Sequence, residues 1–124
     1  MADAKQVVRD FCAAWESLDQ RRILDAFTDD AVYHNMPMAP ATGKEAIKTL
    51  LSFILQPATS VRFEIKQIVA DGDVVLTERV DTFQMGDKTV VLDIMGTFEV
   101  RDGKIAAWRD YFDMAQWTKQ AGTS

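Results

Sequence analysis

Three short stretches of the chain carry polar side chains at the alternating positions that a β-strand would bring to one face. They are "VYHNM" with Tyr33 and Asn35, "TERVDTF" with Arg79 and Asp81, and "AAWRDYFDM" with Asp110 between Trp108 and Phe112. Residues two apart on a strand point the same way, so each stretch presents its polar groups on a single face of a sheet. Two carboxylates, an arginine, a phenol and an amide could therefore meet in one place.

Such a set is suited to general acid–base chemistry. An arginine between two aspartates can hold both by forked hydrogen bonds. One carboxylate would stay ionised as a base, while burial and repulsion would keep the other protonated as an acid. The phenol and the amide could hold a water molecule beside the base. Asp110 is the strongest indication, because a carboxylate flanked by Trp108 and Phe112 is costly to bury unless it is paired.

Each stretch also has a purely structural interpretation. Arg79 and Asp81 are then solvent-facing strand residues, since charged residues are mostly exposed. Tyr33 and Asn35 are then loop or packing residues near prolines. The aromatic neighbours of Asp110 would lie on a partly exposed face. The sequence allows burial of these groups but does not show it.

Helical and alternating apolar patterns define the elements that must position these residues. The predicted helices cover 3–18, 19–27 after a candidate Asp19 cap, 43–55, and a short segment around Trp117 within 115–124. The predicted strands cover 31–36, 60–72 with a possible bulge, two segments within 73–100 joined at "MGDK", and one from Ile105 after the turn "RDGK". Helices followed by a meander of antiparallel strands predict an α+β fold. A strongly curved sheet closed off by helices would form a cone with one internal cavity.

Composition and charge narrow the class of function. The chain has 124 residues, 48% hydrophobic and 27% charged, which predicts a single globular domain over 1–124. A net charge of -5 argues against nucleic acid or an anionic membrane as partner. Cys12 is the only cysteine, so no internal disulfide can form and a cytoplasmic location is expected. No signal peptide or membrane-spanning run is recognised.

Few other catalytic groups are available. His34 is the only histidine, so a zinc site is not expected and a Ser-His-Asp nucleophile would have to use it. We interpret His34 as a packing or hydrogen-bonding residue. No glycine-rich phosphate-binding motif is present. We therefore expect acid–base chemistry without a metal or other cofactor.

The segments "VYHNMP", "TERVDTF" and "GTFEVRDGKIAAWRDYFD" resemble the limonene epoxide hydrolase family. The resemblance runs over nearly the whole chain. It implies the nuclear-transport-factor-like, or SnoaL-like, cone: N-terminal helices packed on a strongly curved, mixed, mainly antiparallel sheet with an internal pocket. It also implies cofactor-independent hydrolysis of an epoxide to a vicinal diol, with direct attack by water, and a homodimer formed through the outer face of the sheet.

The resemblance assigns roles to the five polar residues. Asp110 corresponds to the base that takes a proton from water, and Tyr33 and Asn35 correspond to the groups that hold this water. Asp81 corresponds to the acid that protonates the epoxide oxygen. Arg79 corresponds to the residue that bridges the two aspartates.

The pocket wall is expected to be apolar, with plain core packing as the alternative for each residue. The candidates are Phe83, Leu92, Ile94, Trp108 and Phe112, with Met36 and Met38 at the cavity mouth. Such a wall indicates an apolar epoxide, cyclic or terpene-like.

Two other functions stay open on the same fold. A ketosteroid-isomerase-like or polyketide-cyclase-like enzyme could use Asp110 with Tyr33, but it has no evident use for an arginine beside its base. A non-catalytic module that binds small molecules has no reason to concentrate five polar groups in an apolar cavity.

Overall fold

The computed structural model describes residues 3–122, in which four α-helices and six β-strands form an α+β fold. The helices are α1 (Ala4–Glu16), α2 (Gln20–Asp25), α3 (Lys44–Leu55) and α4 (Met114–Ala121). The strands are β1 (Phe27–Asn35), β2 (Ala41–Thr42), β3 (Ser60–Asp71), β4 (Val74–Met85), β5 (Lys88–Arg101) and β6 (Lys104–Tyr111). The predicted α+β class is confirmed. None of the helices in these residues is long and apolar enough to cross a membrane.

Aspartate side chains begin the first two helices. Asp3 accepts a hydrogen bond from the backbone N–H of Gln6, and Asp19 accepts one from the backbone N–H of Arg22. These carboxylates satisfy donors that the first turn of a helix leaves free. The Asp19 cap predicted from the sequence is confirmed.

Strand β1 begins at Phe27, well before the predicted strand over 31–36. Phe27 is fully buried and pairs with Ile105, but the register shifts before the next pair, which starts at Val32. Residues 28–30 are partly or fully exposed. No alternating pattern marks this part of the strand, which is why the sequence did not reveal it. The two-residue strand β2, which pairs with the end of β1, lies in a segment predicted as a loop.

Both predicted hairpin turns are confirmed. Gly86 in "MGDK" has φ +65°, and Asp102 and Gly103 in "RDGK" have φ +53° and +76°. Positive φ at the first central residue, as in "MGDK", or at both, as in "RDGK", gives a tight turn whose twist suits antiparallel strands. The bulge predicted in β3 is also confirmed, between Ile65 and Gln67.

The strands form one mixed sheet in the order β2-β1-β6-β5-β4-β3. β1 and β6 run parallel, and every other neighbouring pair runs antiparallel. The sheet curls around α1, which supplies buried aromatic rings. Phe11 lies 5.0 Å from Trp108 between ring centroids, and Trp15 stacks on Phe63 at 5.1 Å. The main core therefore lies between α1 and the inner face of the sheet.

Helix α4 covers a free edge of β5. Strand β5 pairs with β6 only from Met95 onward, so no strand of the described residues lies beside its earlier part on that side. The side chain of Gln120 accepts a hydrogen bond from the backbone N–H of Val91 and donates one to the backbone carbonyl oxygen of Val91, both at 2.8 Å. Gln116 accepts from the N–H of Asp93 at 3.1 Å. Two glutamines thus replace part of a strand and hold α4 beside the inner face.

Candidate active site

One row of residues crosses four strands on the inner face of the sheet. The parallel pairing of β1 with β6 sets Asn35 beside Asp110. The antiparallel pairings then set Gly96 beside Asp110, and Thr77 beside Gly96. All four are buried. Chain segments far apart in sequence are brought together by this register.

All five polar residues predicted for the site are buried on this face, so their interpretation as solvent-facing or loop residues is wrong. Their exposed fractions are 1% for Arg79 and Asp81, 2% for Asp110, 3% for Tyr33 and 8% for Asn35.

Arg79 lies between the two aspartates and uses all five of its N–H donors. Nε and Nη2 donate to Asp81 at 3.0 and 2.8 Å, and Nη1 and Nη2 donate to Asp110 at 3.1 and 2.7 Å. The remaining Nη1 donor reaches Oγ1 of Thr77 at 3.2 Å. The ring of Phe63 lies 5.0 Å from the guanidinium carbon. Asp81, Arg79 and Asp110 are called the charged cluster below.

The charged cluster would hold a net negative charge if both carboxylates were ionised, which a dry site disfavours. Burial raises the pKa of Asp81 from 3.8 to about 6. Arg79 opposes this shift through its charge and its hydrogen bonds, while the charge of Asp110 adds to it. Burial would lower the pKa of Arg79, but the charges of Asp110 and Asp81 outweigh it and raise that pKa well above its ordinary value. Arg79 therefore stays charged, and the raised pKa of Asp81 allows this carboxyl to carry a proton near neutral pH.

Tyr33 provides a neutral phenol beside Asp110. Burial raises its pKa above the ordinary value, the charge of Asp110 adds to this, and a hydrogen bond with Asn35 acts the other way. Its ring stacks on Trp108 with centroids 4.2 Å apart and planes 4° from parallel. The hydroxyl can therefore donate a hydrogen bond at any physiological pH.

A cavity opens beside these groups, with about 570 Å³ of empty space including its open mouth. Tyr33, Asn35, Asp81 and Asp110 contribute its polar lining, and the remaining lining side chains are apolar. Four of the predicted wall residues line it: Phe83, Leu92, Ile94 and Phe112. The cavity thus joins a polar end to an apolar body.

Five further lining residues were not assigned to the wall from the sequence: Phe53, Ile54, Phe63, Met114 and Trp117. Most come from α3 and α4, whose patterns predict a helix but not its neighbour in the fold. Phe63 has the strand parity of an inner-face residue, and this signal could have identified it.

Trp108 was predicted to line the pocket but does not. It is fully buried and stacks against Tyr33 and Phe98 in the aromatic core. Its Nε1 donates to Oδ1 of Asp110 at 2.6 Å. Parity placed the side chain on the correct face, but the indole packs beneath the cavity surface.

Met36 and Met38 were both predicted at the cavity mouth; Met38 lines the cavity, and Met36 does not. The chain turns directly after β1, where the N–H of Met38 donates to the carbonyl of Asn35 at 2.7 Å. The turn ends the strand alternation, so the parity of β1 no longer decides where Met36 points; both methionines are 37% exposed. His34 stands 2.8 Å from the carbonyl oxygen of Met38, which agrees with a hydrogen-bonding role in this turn.

Gly96 is a residue of the site that sequence reasoning missed. An added Cβ would lie 2.5 Å from Nη1 of Arg79, 2.5 Å from Oδ1 of Asp110 and 3.0 Å from Oγ1 of Thr77. The absent side chain leaves the space through which Arg79 reaches across β5 to Asp110. A glycine inside a central strand is unfavourable, and this was the available signal.

No group of three or more His, Cys, Asp or Glu residues within 3–122 is arranged to hold a metal ion. The charged cluster itself contains two carboxylates whose oxygens are already engaged by Arg79.

Comparison with known proteins assigns the family. Residues 2–122 match the family described as the limonene-1,2-epoxide hydrolase catalytic domain. Epoxide hydrolase EphG of Mycobacterium tuberculosis is 38% identical over 107 residues, which cover 86% of this chain and 71% of that protein. A solved structure of an M. tuberculosis LEH-like epoxide hydrolase is 37% identical, with a TM-score of 0.82 over 94% of this chain and 87% of the other.

The fold and the match over nearly its whole length define an epoxide hydrolase of the limonene epoxide hydrolase type. This chain belongs to the limonene-1,2-epoxide hydrolase family. The resemblance predicted from the sequence is confirmed. A protein of ketosteroid-isomerase-like fold from Catenulispora acidiphila has a TM-score of 0.83 over 95% of this chain and 93% of its own. At 21% identity it shows the shared fold alone and does not favour the isomerase or cyclase alternatives.

We expect Gly96→Ala to destabilise the protein by about 1–3 kcal/mol, because the new methyl group collides with the charged cluster. The measurement is the free energy of unfolding from urea titration. Thr97→Ser, at the next residue on the other face of β5, is the control and should change little. An unchanged or increased stability of Gly96→Ala would show that Arg79 and Asp110 do not need this space.

Proposed function

We propose that this protein converts an apolar epoxide, cyclic or terpene-like, into a vicinal diol by one-step general acid–base attack of water, without a cofactor. The observation that carries the proposal is the charged cluster at the polar end of an otherwise apolar cavity. Membership of the epoxide hydrolase family gives the class of reaction.

In this proposal Asp110 is the base. Tyr33 and Asn35 hold the water from which it takes a proton, and the water oxygen attacks one epoxide carbon. All three residues line the cavity, and register sets Asn35 directly beside Asp110. Three N–H donors, from Arg79 and Trp108, stabilise the ionised form of Asp110.

Asp81 is the acid in this proposal and gives its proton to the epoxide oxygen as the carbon–oxygen bond breaks. Two donors of Arg79 reach it, against three donors for Asp110, so its ionised form is less stabilised. The raised pKa of about 6 supports the same assignment. Each turnover leaves a proton on Asp110 and removes one from Asp81, so a proton must return before the next cycle.

Arg79 acts by position and charge. Its donors are all engaged by the protein, so none is left to bind the substrate. Its bidentate contacts fix both carboxylates at one edge of the cavity. That fixed separation lets the base and the acid act on the two sides of one epoxide.

The substrate is proposed from the cavity wall. Phe83, Leu92 and Ile94 from the sheet and Met114 and Trp117 from α4 are apolar side chains, whose polar atoms are one indole N–H and one weakly accepting thioether sulfur. A wall of this kind favours an epoxide carried on a compact hydrocarbon ring.

A homodimer is the proposed assembly, formed through the outer face of the sheet. That face exposes the large apolar side chains Val74, Leu76, Val91, Met95 and Tyr111. Apolar groups clustered on one face are typical of an association surface. The single cysteine, free and buried, suits the reducing cytoplasm that we propose as its location.

The reaction is tested by incubating chelator-treated protein with limonene oxide and cyclohexene oxide in heavy-oxygen water under single-turnover conditions. We expect labelled diol in the first turnover, because water attacks directly. Asp110→Asn should lower kcat by about a thousandfold, while Asp87→Asn, an exposed carboxyl in the β4–β5 turn, should not. Unlabelled diol would indicate a covalent ester, and activity retained in Asp110→Asn would remove the role given to Asp110.

The pH dependence of kcat/KM tests the acid. The reaction requires protonated Asp81, so kcat/KM should fall as the pH rises through about 6, the pKa to which burial raises this carboxyl. The profile is measured with a substrate that does not itself ionise. A kcat/KM that stays flat between pH 5 and 8, about one to two units on either side of this value, would contradict Asp81 as the acid.

Analytical ultracentrifugation tests the assembly. We expect a single species of twice the chain mass, and mainly monomer for Leu76→Glu, because an isolated charge in an apolar interface is costly. Lys104→Glu, an exposed residue at the start of β6, is the control and should stay dimeric. A wild-type monomer at micromolar concentration would contradict the proposal.

A further inference from the structure

The two oxygens of Asp110 have different surroundings. Oδ1 accepts from Nη1 of Arg79 at 3.1 Å and from Nε1 of Trp108 at 2.6 Å. Within residues 3–122, Oδ2 accepts only from Nη2 of Arg79, at 2.7 Å. A carboxylate oxygen has two lone pairs. Oδ1 is therefore fully occupied by protein donors, and Oδ2 keeps one position free.

We propose that Trp108 is a positioning residue, which selects Oδ2 of Asp110 as the oxygen that takes the proton from water. This inference deepens the proposed function and rests on it. An indole nitrogen can donate a hydrogen bond but cannot accept one. In this contact the indole is therefore always the donor and the carboxylate always the acceptor, which favours the ionised carboxylate needed for a base.

The surroundings of Trp108 hold this donor in place. The indole is fully buried, stacks on Tyr33 at 4.2 Å and on Phe98 at 5.4 Å, and meets the edge of Phe11 at 5.0 Å. A close-packed ring of this size cannot turn without opening the core. The same ring also supports Tyr33. Trp108 therefore fixes the position of the base, Asp110, relative to the phenol that holds the water.

Trp15 shows that the fold does not require a partner for a buried indole. It is also fully buried, and its ring lies 5.5 Å from that of Trp108. Its Nε1 has no hydrogen-bond partner within residues 3–122. These two tryptophans of one aromatic cluster thus differ in whether the indole N–H donates a hydrogen bond, so Trp15 is a matched control.

The charged and titratable groups that surround Asp110 come from three other elements. Arg79 and Asp81 lie on β4, Tyr33 on β1 and Cys12 on α1. Removal of the N–H from Trp108 leaves all of these groups in the protein. A change in the pH profile of that variant therefore reports the lost donor.

The first experiment replaces Trp108, by site-specific incorporation, with benzothienylalanine, which keeps the bicyclic shape and lacks the N–H. We expect kcat to fall about ten- to a hundredfold with little change in KM, because hydrogen bonds to charged groups have this magnitude. The acidic limb of the pH profile should move up by about one to two pH units. The same replacement at Trp15 should change neither. Trp108→Phe is a second variant that retains an aromatic ring.

The second experiment reads the hydrogen bond without turnover. The chain has three tryptophans, so a nitrogen–proton correlation spectrum contains three indole signals, assigned by single Trp→Phe variants. We expect the Trp108 signal to lie furthest downfield, as for a donor to a carboxylate, and to move upfield in Asp110→Asn. The Trp15 signal should stay in place.

The outcomes separate this inference from the proposed function. Diol formation with an unchanged kcat and pH profile in the Trp108 variant overturns the positioning role alone. A Trp108 indole signal that does not move in Asp110→Asn overturns the positioning role as well. No diol from any epoxide, with the indole signal still coupled to Asp110, overturns the proposed function and this role with it.

Discussion

A buried guanidinium with every N–H group engaged is the constraint on which the rest of this structure depends. Arg79 cannot be left with an unmatched charge in the core, since breaking a buried ion pair costs about 3–5 kcal/mol. Its partners must therefore come from three directions at fixed distances: Asp81 on its own strand, Asp110 across β5, and the hydroxyl of Thr77. Gly96 supplies the space in which these contacts cross the intervening strand.

The two aspartates bound by this arginine are the same residue type, yet their surroundings differ. Both aspartates are almost completely buried and both are bound in a bidentate manner. Asp110 receives an additional donor from an indole, whereas the pKa of Asp81 rises chiefly through burial. The difference between the proposed base and the proposed acid can thus arise from one additional N–H donor, with no change of residue type.

Much of the fold and the inner face of the sheet could be predicted, because alternation along a strand is a local property. Parity placed Arg79 and Asp81 on one face of their strand and Asp110 on the same face as Trp108 and Phe112, and turn residues marked both hairpins. The need for Gly96 could not be predicted, because it depends on the register of three strands that are distant in sequence. The depth of Trp108 escaped prediction for a similar reason: parity gives direction, but packing decides whether a ring lines a cavity or lies beneath it. Helical patterns likewise did not show which helix would close the cavity.

The order of strands has a consequence for how the chain reaches this structure. β6 lies between β1 and β5, so the sheet consists of two separate pieces until the last strand joins them. One piece is the pair of β1 and β2, and the other is the meander of β3, β4 and β5. During synthesis nearly the entire chain must emerge before the pieces can unite, and until then Arg79 has only one of its two carboxylates. The pairing of β1 with β6 joins residues that are far apart in sequence, and such non-local pairing is slow to form. Assembly of the site and completion of the sheet are therefore the same late event. A chain that stops folding before this event would expose an unpaired strand edge, and the charge of Arg79 would lack Asp110 as a partner.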